Sequence, residues 1–337
     1  MITTSEEPVS VVVTMRNSAS TIVNSLRSIA SQNYPVAEII VVDNVSTDDS
    51  VALVEQFGQQ QPVPVRIIRM PENFGLCASF NAGVKEAISS SVILMHSDSS
   101  LPTRDEIRKL TGPSRQDPAV VATCPKLILP ESIWNGFPFW QKALFARVVG
   151  KEIAVFTGKF DCVKRDVFLR IGGFDENLFN DPSGFGGEDG DLYLRLCLEG
   201  RVTPSEARVV HLHYLGANYT LADFLKNRKV LARTYGRFLT LHPSRIPSNW
   251  VLFVKPVLAI IPLLPHFHLA GIVLLFLFSF LNSRKLYISS SSVRDPRTLS
   301  LPFVDIFLVF YETFWMIEGW IRTVMIRRTP LPPITAP

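Results

Sequence analysis

The sequence has little that would serve cross-linking, thiolate metal chemistry or nucleic-acid binding. Its 337 residues include four cysteines, Cys77, Cys124, Cys162 and Cys197. No two form a Cys-x-x-Cys pair, which argues against a zinc site, and in a chain this long they read as small buried apolar residues of a reducing compartment. The formal net charge of +4 is too mild to point to nucleic acid. The start, Met1-Ile2-Thr3-Thr4-Ser5-Glu6-Glu7, has neither the basic opening nor the apolar run of a signal peptide, so the body is expected in the cytosol. There is no internal repeat and no low-complexity tract. No Gly-x-Gly-x-x-Gly follows the first β-like run, which weighs against a dinucleotide oxidoreductase. Apolar residues make up 47% of the chain, and their excess gathers after residue 249.

What is present is a regular alternation over residues 9–124. Short β-branched runs lie at Val9–Thr14, Glu38–Val42, Val63–Ile68, Val92–Met95 and Ala119–Thr123. Segments with helical spacing separate them at Ser18–Ser31, Thr47–Phe57 and Cys77–Ser89. Short continuous apolar runs predict strands buried on both faces, and helices between them predict βαβ units with a mostly parallel central sheet. Ser46 with Asp49, and Thr103 with Glu106, have capping-box spacing. Residues 125–218 are irregular and rich in Gly, Pro and aromatics, as the walls of a site are. Residues 220–241 return to helical spacing. The expected division is 1–240 as a catalytic domain and 241–337 as a hydrophobic helical region.

Five constellations carry chemistry. Asp43, in Val41-Val42-Asp43-Asn44, stands at the carboxyl end of a predicted strand, where open α/β sheets bind ligands. It could meet a base or ribose, although Asp43 and Asn44 also suit a turn. Asn73-Phe74-Gly75, followed by Asn81-Ala82-Gly83, allows close backbone approach at a helix start, where amides face an anion; a cap plus a packing glycine explains it equally well. His96-Ser97-Asp98 puts a carboxylate at a strand end, as a diphosphate-bound divalent cation requires. Gly172-Gly173-Phe174-Asp175-Glu176 and then Gly186-Gly187-Glu188-Asp189-Gly190-Asp191 set acids on both sides of a Gly-rich loop that opens a helix ending at Gly200. Acids suit the helix dipole there, yet a carboxylate so held can also act as a general base. In His211-Leu212-His213, alternation puts both rings on one strand face, as metal or phosphate contacts or as structural residues.

In this order the five segments resemble glycosyltransferase family 2, inverting enzymes of GT-A fold, over roughly residues 8–240. The Gly-Gly-Phe-Asp-Glu segment and the Glu188-Asp189 pair are the specific part. The resemblance implies an α/β GT-A domain, Rossmann-like with helices flanking the sheet, followed by hydrophobic C-terminal helices. It implies that Thr14, Asn17 and Asp43 bind the nucleoside, with Asn73 and Gly75 nearby, and that Asp98 ligates Mn²⁺ or Mg²⁺. His211 or His213 would complete the metal or diphosphate contacts. Asp189 would be the base, and Glu188 would orient a sugar. Two positions depart from the family pattern: His96 stands where many members have a first acid, which shifts metal preference towards Mn²⁺, and Asn44 stands where an acid is common. The implied partners are a nucleotide-sugar donor, a glycan or lipid-linked acceptor and a membrane surface, with no nucleic acid. A polyprenyl-phosphate glycosyltransferase and a catalytically dead nucleotide-sugar-binding protein are the alternatives. Sugar specificity is expected around Trp134–Phe145 and Phe179–Phe185.

From Trp250 the sequence turns membrane-like. Pro256–Leu281 has no Asp, Glu, Lys or Arg, and at ~1.5 Å per residue it could cross a bilayer, but Pro262 and Pro265 break it. Leu301–Ile321 contains Asp305, Glu312 and Glu318 and many aromatics, which makes a poor span and a plausible interfacial helix. Arg284, Lys285, Arg294 and Arg297 lie between the two runs, so a spanning hairpin would put its basic loop outside. Attachment to the cytoplasmic face through residues 250–325 is the expectation, with a buried helical subdomain or a dimer interface as the competing account.

Overall fold

The computed structural model describes residues 6–179, 186–213, 215, 218–242, 253–289 and 292–327. In chain order the elements are β1 (Val9–Met15), α1 (Ile22–Ala30), β2 (Val36–Asp43), α2 (Ser50–Gly58), β3 (Val65–Arg69), α3 (Gly75–Glu86), β4 (Ser91–His96), β5 (Ser99–Ser100), α4 (Glu106–Gln116), β6 (Val120–Ile128), α5 (Glu131–Asn135), α6 (Phe139–Phe145), β7 (Glu152–Ala154), β8 (Phe160–Lys164), α7 (Arg165–Arg170), α8 (Glu176–Phe179), α9 (Glu188–Glu199), β9 (Arg201–His211), α10 (Leu221–Leu241), α11 (Val254–Ile260), α12 (His268–Ile288) and α13 (Leu301–Arg327). They form two compact units: Met1–Trp134 with Val148–Gly184 and Glu188–Leu215, and Asn135–Arg147 with Phe185–Gly187 and Gly216–Pro337. The second unit therefore takes α10, which the division at residue 240 assigns to the catalytic domain.

The first unit is built on a nine-stranded sheet in the order β3-β2-β1-β4-β8-β6-β9-β5, with β7 on β6. Strands β3, β2, β1 and β4 are all parallel. Every residue of β1 is buried, as a Val-rich run covered on both faces must be. Ile22, Leu26 and Ile29 recur at helical spacing on α1 and pack against Val11, Val13, Ile39 and Ile93 of the sheet. On α3 a Cβ at Gly83 would lie 2.3 Å from Val12 Cγ1, so this glycine serves close helix–sheet packing.

Beyond β4 the sheet becomes mixed. Strand β8 lies antiparallel between β4 and β6, and β9 runs parallel to β6. The irregular region 125–218 thus contributes three strands, β7, β8 and β9. β9 is the strand that the alternation at His211 anticipated, while the pairing of β7 and β8 leaves no local signature. Neither capping box forms. α2 starts at Ser50, and the Ser46 hydroxyl instead accepts the Asn17 amide at 3.0 Å. Glu106 is fully buried and accepts the Arg208 amide of β9 at 2.7 Å.

The second unit is helical. As the prolines predict, α11 ends at Ile260, a 3-10 turn covers Ile261–Leu263, and α12 begins at His268. The three acids of α13 that marked it as a poor span are all paired within the unit. Asp305 accepts from Ser279, Asn282 and Ser283 of α12, Glu312 from Arg228 and Lys255, and Glu318 from Arg233. The exposed side of α13 is left to Phe303, Phe307, Phe314, Ile317 and Trp320. By length and composition, His268–Ile288 and Pro296–Met325 are both long and apolar enough to cross a membrane.

Candidate active site

Successive crossovers place β2 on one side of β1 and β4 on the other, which opens a crevice at the carboxyl ends of these strands, where doubly wound sheets bind ligands. The parallel register sets Met15 beside Asp43 and Thr14 beside His96. The expected nucleotide-binding residues gather here. Thr14 is buried at the end of β1, and its carbonyl accepts the Ser97 amide at 3.1 Å. Asn17 follows in a left-handed conformation (φ 50°), a region Asn tolerates, and its Oδ1 accepts the Thr47 amide at 2.8 Å. The buried Asp43 carboxylate accepts the Ser46 amide at 3.2 Å. Asn73 Oδ1 accepts the Gly75 amide at 3.2 Å and the Asn44 side-chain amide at 2.7 Å. Gly75 opens α3 at φ 84°, a conformation that requires glycine. Asn44 thereby ties the end of β2 to the start of α3, and its buried Oδ1 has no partner among the described residues.

Asp98 leaves the end of β4, and β9 returns to it. Ser99 pairs with His211, and the Leu212 amide donates to the Asp98 carbonyl at 2.9 Å. His211 Nε2 lies 2.9 Å from Asp98 Oδ2. His96, Asp98 and His211 bring their ligand atoms within 4.8 Å of one another. His213 packs against His211 with ring centroids 3.8 Å apart and the rings tilted by 57°. It does not share a strand face with it as alternation suggested: β9 ends at His211, and His213 has φ 49°. Burial drives the imidazoles towards their neutral form, His96 down to about 3 and His213 to about 2, with His211 lowered too. Burial alone would raise Asp98, but the facing His211, with His96 and His213, holds it well below the usual carboxylate range. An ionised carboxylate beside neutral rings is the protonation state that metal ligation needs. His96 Nε2 and His211 Nδ1 are buried without partners among the described residues. The donor set fits a divalent ion, and imidazole favours Mn²⁺ over Mg²⁺.

The third wall is the loop before β8. Asp161, fully buried on β8 opposite Leu94, accepts the amides of Thr157 and Gly158. Burial raises it to about 7 against those two hydrogen bonds. The loop is held with Gly158 at φ 67°, and a Cβ there would sit 3.2 Å from Phe80 Cε2, 3.3 Å from Asp189 Oδ1 and 3.5 Å from His96 Nε2. Gly158 is thus the point where the His96–Asp98–His211 cluster and the carboxylate of α9 come together. Gly158→Ala should cost about 1–3 kcal/mol of stability from its positive φ, and displacement of Asp189 and His96 should lower turnover by about tenfold or more. Thermal unfolding and initial rates check both. Wild-type turnover in the alanine variant would mean that the loop does not position Asp189.

Asp189 opens α9, with Oδ1 buried and unpartnered among the described residues. Burial, then the neighbouring Glu188, raise its proton affinity well above that of an ordinary carboxyl, with Lys159 opposing. Glu188 beside it is buried. The other acids of this segment have structural work. Asp175 Oδ1 accepts the Asn177 and Leu178 amides at 3.0 Å. Glu176 accepts from Asn81 at 2.7 Å, and Asn81 also pairs with both backbone groups of Phe174. Asp191 binds Arg195 at 2.8 Å, and Arg195 donates to the carbonyls of Ile171 and Gly173. The Gly172–Gly173 turn is therefore a brace between α3 and α9. Phe174 also stacks on Phe80, whose ring lies 5.8 Å from His96.

Reasoning from the sequence noted His96 at the first-acid position without naming it among the metal residues, and did not pick out Gly158 and Asp161. His96 carried a signal, since it stands two residues before Asp98 at a strand end. The other two carried none, because only the antiparallel pairing of β8 with β4 brings them here.

A doubly wound sheet that carries a carboxylate–imidazole cluster at its carboxyl edge, faced by a carboxylate on a helix N-terminus, has the GT-A architecture of glycosyltransferases. The family model for glycosyl transferase family 2 matches residues 10–172, and the chain carries a family 2 glycosyltransferase domain. It is 27% identical over 198 residues to the uncharacterized glycosyltransferase YwdF of Bacillus subtilis, covering 58% of this chain and 69% of that one. It is 26% identical over 215 residues to the O-antigen biosynthesis protein RfbC of Myxococcus xanthus, covering 57% of this chain and 16% of the relative's length. The solved mannosyltransferase PcManGT of Pyrobaculum calidifontis, in complex with GDP-Man and Mn²⁺, shares the fold with a TM-score of 0.61 at 17% identity, across 96% of this chain and 89% of that one.

Proposed function

We propose that the protein is an inverting glycosyltransferase, which moves a sugar from a nucleoside-diphosphate donor to a hydroxyl of a glycan or lipid-linked acceptor. The observation that carries this reading is Gly158, against which both Asp189 Oδ1 and His96 Nε2 are packed. A base and the ligands for a diphosphate-bound cation thus border one space, as a single displacement requires.

Thr14, Asn17 and Asp43 hold the nucleoside at the ends of β1 and β2, with Asn73 and Gly75 beside it. The diphosphate lies at the start of α3, where the amides that follow Gly75 would meet it, the Gly75 amide itself being taken by Asn73. Asp98, His96 and His211, with His213 packed against His211, would hold Mn²⁺, which would supply positive charge against the diphosphate; PcManGT was solved in complex with GDP-Man and Mn²⁺. Asp189 takes the proton of the acceptor hydroxyl as its oxygen attacks the anomeric carbon. The bond from that carbon to the diphosphate breaks with inversion, and Glu188 orients the sugar. Attachment through residues 250–325 to the cytoplasmic face of a membrane, with envelope polysaccharide as the product, follows from the apolar exterior of α11–α13 and from the O-antigen role in RfbC's name. The same helices favour a second reading, in which the acceptor is a polyprenyl phosphate itself. Of the segment expected to set sugar specificity, residues 180–185 lie outside the described residues.

Incubation with a panel of nucleotide sugars, with and without Mn²⁺, tests the reading. One nucleotide sugar should be turned over to free nucleotide with Mn²⁺ present, and added polyprenyl phosphate should accelerate it if the second reading holds. Binding of a nucleotide sugar without turnover would identify a binding protein, and no binding at all would overturn the proposal.

A further inference from the structure

The helical unit contains a cluster of charges that the reaction above does not use. Glu312 of α13 is 9% exposed, and both its oxygens are occupied. Oε1 accepts Arg228 Nε of α10 at 2.7 Å, and Oε2 accepts Lys255 Nζ of α11. The two cations are themselves poorly exposed, 20% and 17%. A third, Arg147, follows α6 and is exposed, with no hydrogen bond or ion pair among the described residues. Its charge reaches Lys255, whose ammonium is pushed down to about 8 by burial and then by Arg228 and Arg147, with Glu312 opposing.

Arg228 and Lys255, with the exposed Arg147 in electrostatic reach, stand against Glu312 and, at longer range, Asp305, which leaves an excess of positive charge where Arg228 and Lys255 are largely desolvated. Such an excess is costly unless an anion meets it. The donors for one are in place. A guanidinium has five N–H groups and an ammonium three. Among the described residues Arg228 spends only Nε and Lys255 only one donor, both on Glu312. Glu312 thus holds two cations side by side with their remaining donors unused, an arrangement suited to the several oxygens of a phosphate. The surroundings are apolar. Lys255 Nζ lies 5.9 Å from the Phe278 ring centroid, and α11 exposes Val257 and Ile260.

We propose that Arg147, Arg228 and Lys255 form an anion site in the helical unit, which takes a phosphate carried on an apolar chain. It rests on the membrane-attached reading above for the apolar chain, but not for the phosphate. The phosphate belongs either to a phospholipid headgroup or to a lipid-linked substrate, and the two share the same chemistry.

Flotation of the full chain with vesicles tests this. Three compositions are compared: neutral phosphatidylcholine, the same with phosphatidylglycerol, and the same with a polyprenyl monophosphate. Phosphate lipid should raise the wild-type partition by about tenfold. Arg147→Gln and Lys255→Gln should each lose most of that gain, while partition into neutral vesicles stays unchanged. Arg147 is exposed, so its variant keeps the test alive should Lys255→Gln misfold. A gain with both charged lipids assigns the site to headgroups, and a gain with polyprenyl phosphate alone assigns it to the substrate. No gain in the wild type, an equal gain in the variants, or an equal loss in Arg27→Gln on the other unit would overturn the proposal. Failure of the wild type to float with neutral vesicles would count against membrane attachment alone.

Discussion

Asp189→Asn should keep nucleotide-sugar affinity and lower the transfer rate by about 10²–10⁴-fold, the usual worth of a positioned base. The amide is isosteric, so the start of α9 and the packing against Gly158 are retained, while the basicity needed to take the acceptor proton is lost. Calorimetric titration with the donor and initial rates separate the two effects. Near-wild-type transfer by the variant would remove Asp189 from the mechanism. The base must be ionised to work, and burial followed by Glu188 raises its proton affinity. The rate should therefore fall as pH drops through a value above the ordinary carboxylate range. Stability carries the opposite sign. A raised folded-state affinity favours the protonated fold, so ionising Asp189 costs stability as pH rises past the unfolded value. The Asn variant should then unfold at the wild-type temperature or above it at pH 8, a gain in stability at the expense of function.

The second large effect lies on the imidazole side. Asp98→Asn removes the only carboxylate of the His96–Asp98–His211 cluster and should weaken Mn²⁺ binding by about 10²-fold or more, with a similar fall in turnover at limiting metal. The paramagnetic resonance signal of free Mn²⁺, titrated against the protein, reads affinity without reference to activity. Chelation should abolish wild-type turnover and Mn²⁺ should restore it better than Mg²⁺, because two of the three donors are imidazoles. Full activity after chelation, or unchanged Mn²⁺ binding by the variant, would show that the cluster is not a metal site.

Much of the crevice was legible in the chain because it is built from local units. Each of Asp43, Asn73 and Asp98 follows its own apolar run, so strand ends could be located from hydropathy alone. Glu188 and Asp189 announced themselves as acids crowded with glycine ahead of a helix. The same crowding overstated Asp175, Glu176 and Asp191, whose work is to cap α8, to meet Asn81 and to hold Arg195. The membrane-like end was misjudged in one respect. Asp305, Glu312 and Glu318 seemed to spoil α13 as an apolar helix, yet each turns inward to a partner on α10, α11 or α12.

By itself the sequence determined the parallel β1–β4 half of the sheet, the order of its ligand-bearing strand ends and the start of α9, since hydrophobic period and helix-start chemistry act between near neighbours. Tertiary structure alone decided that β8 inserts antiparallel beside β4, and with it the place of Gly158 and Asp161. It alone decided that His96 joins Asp98 and His211 in the cluster, and that Glu312 gathers two cations from separate helices. These pairings join residues from about fifty to more than a hundred positions apart. Which of them form depends on how the whole chain buries its apolar surface, a global quantity that no local pattern encodes.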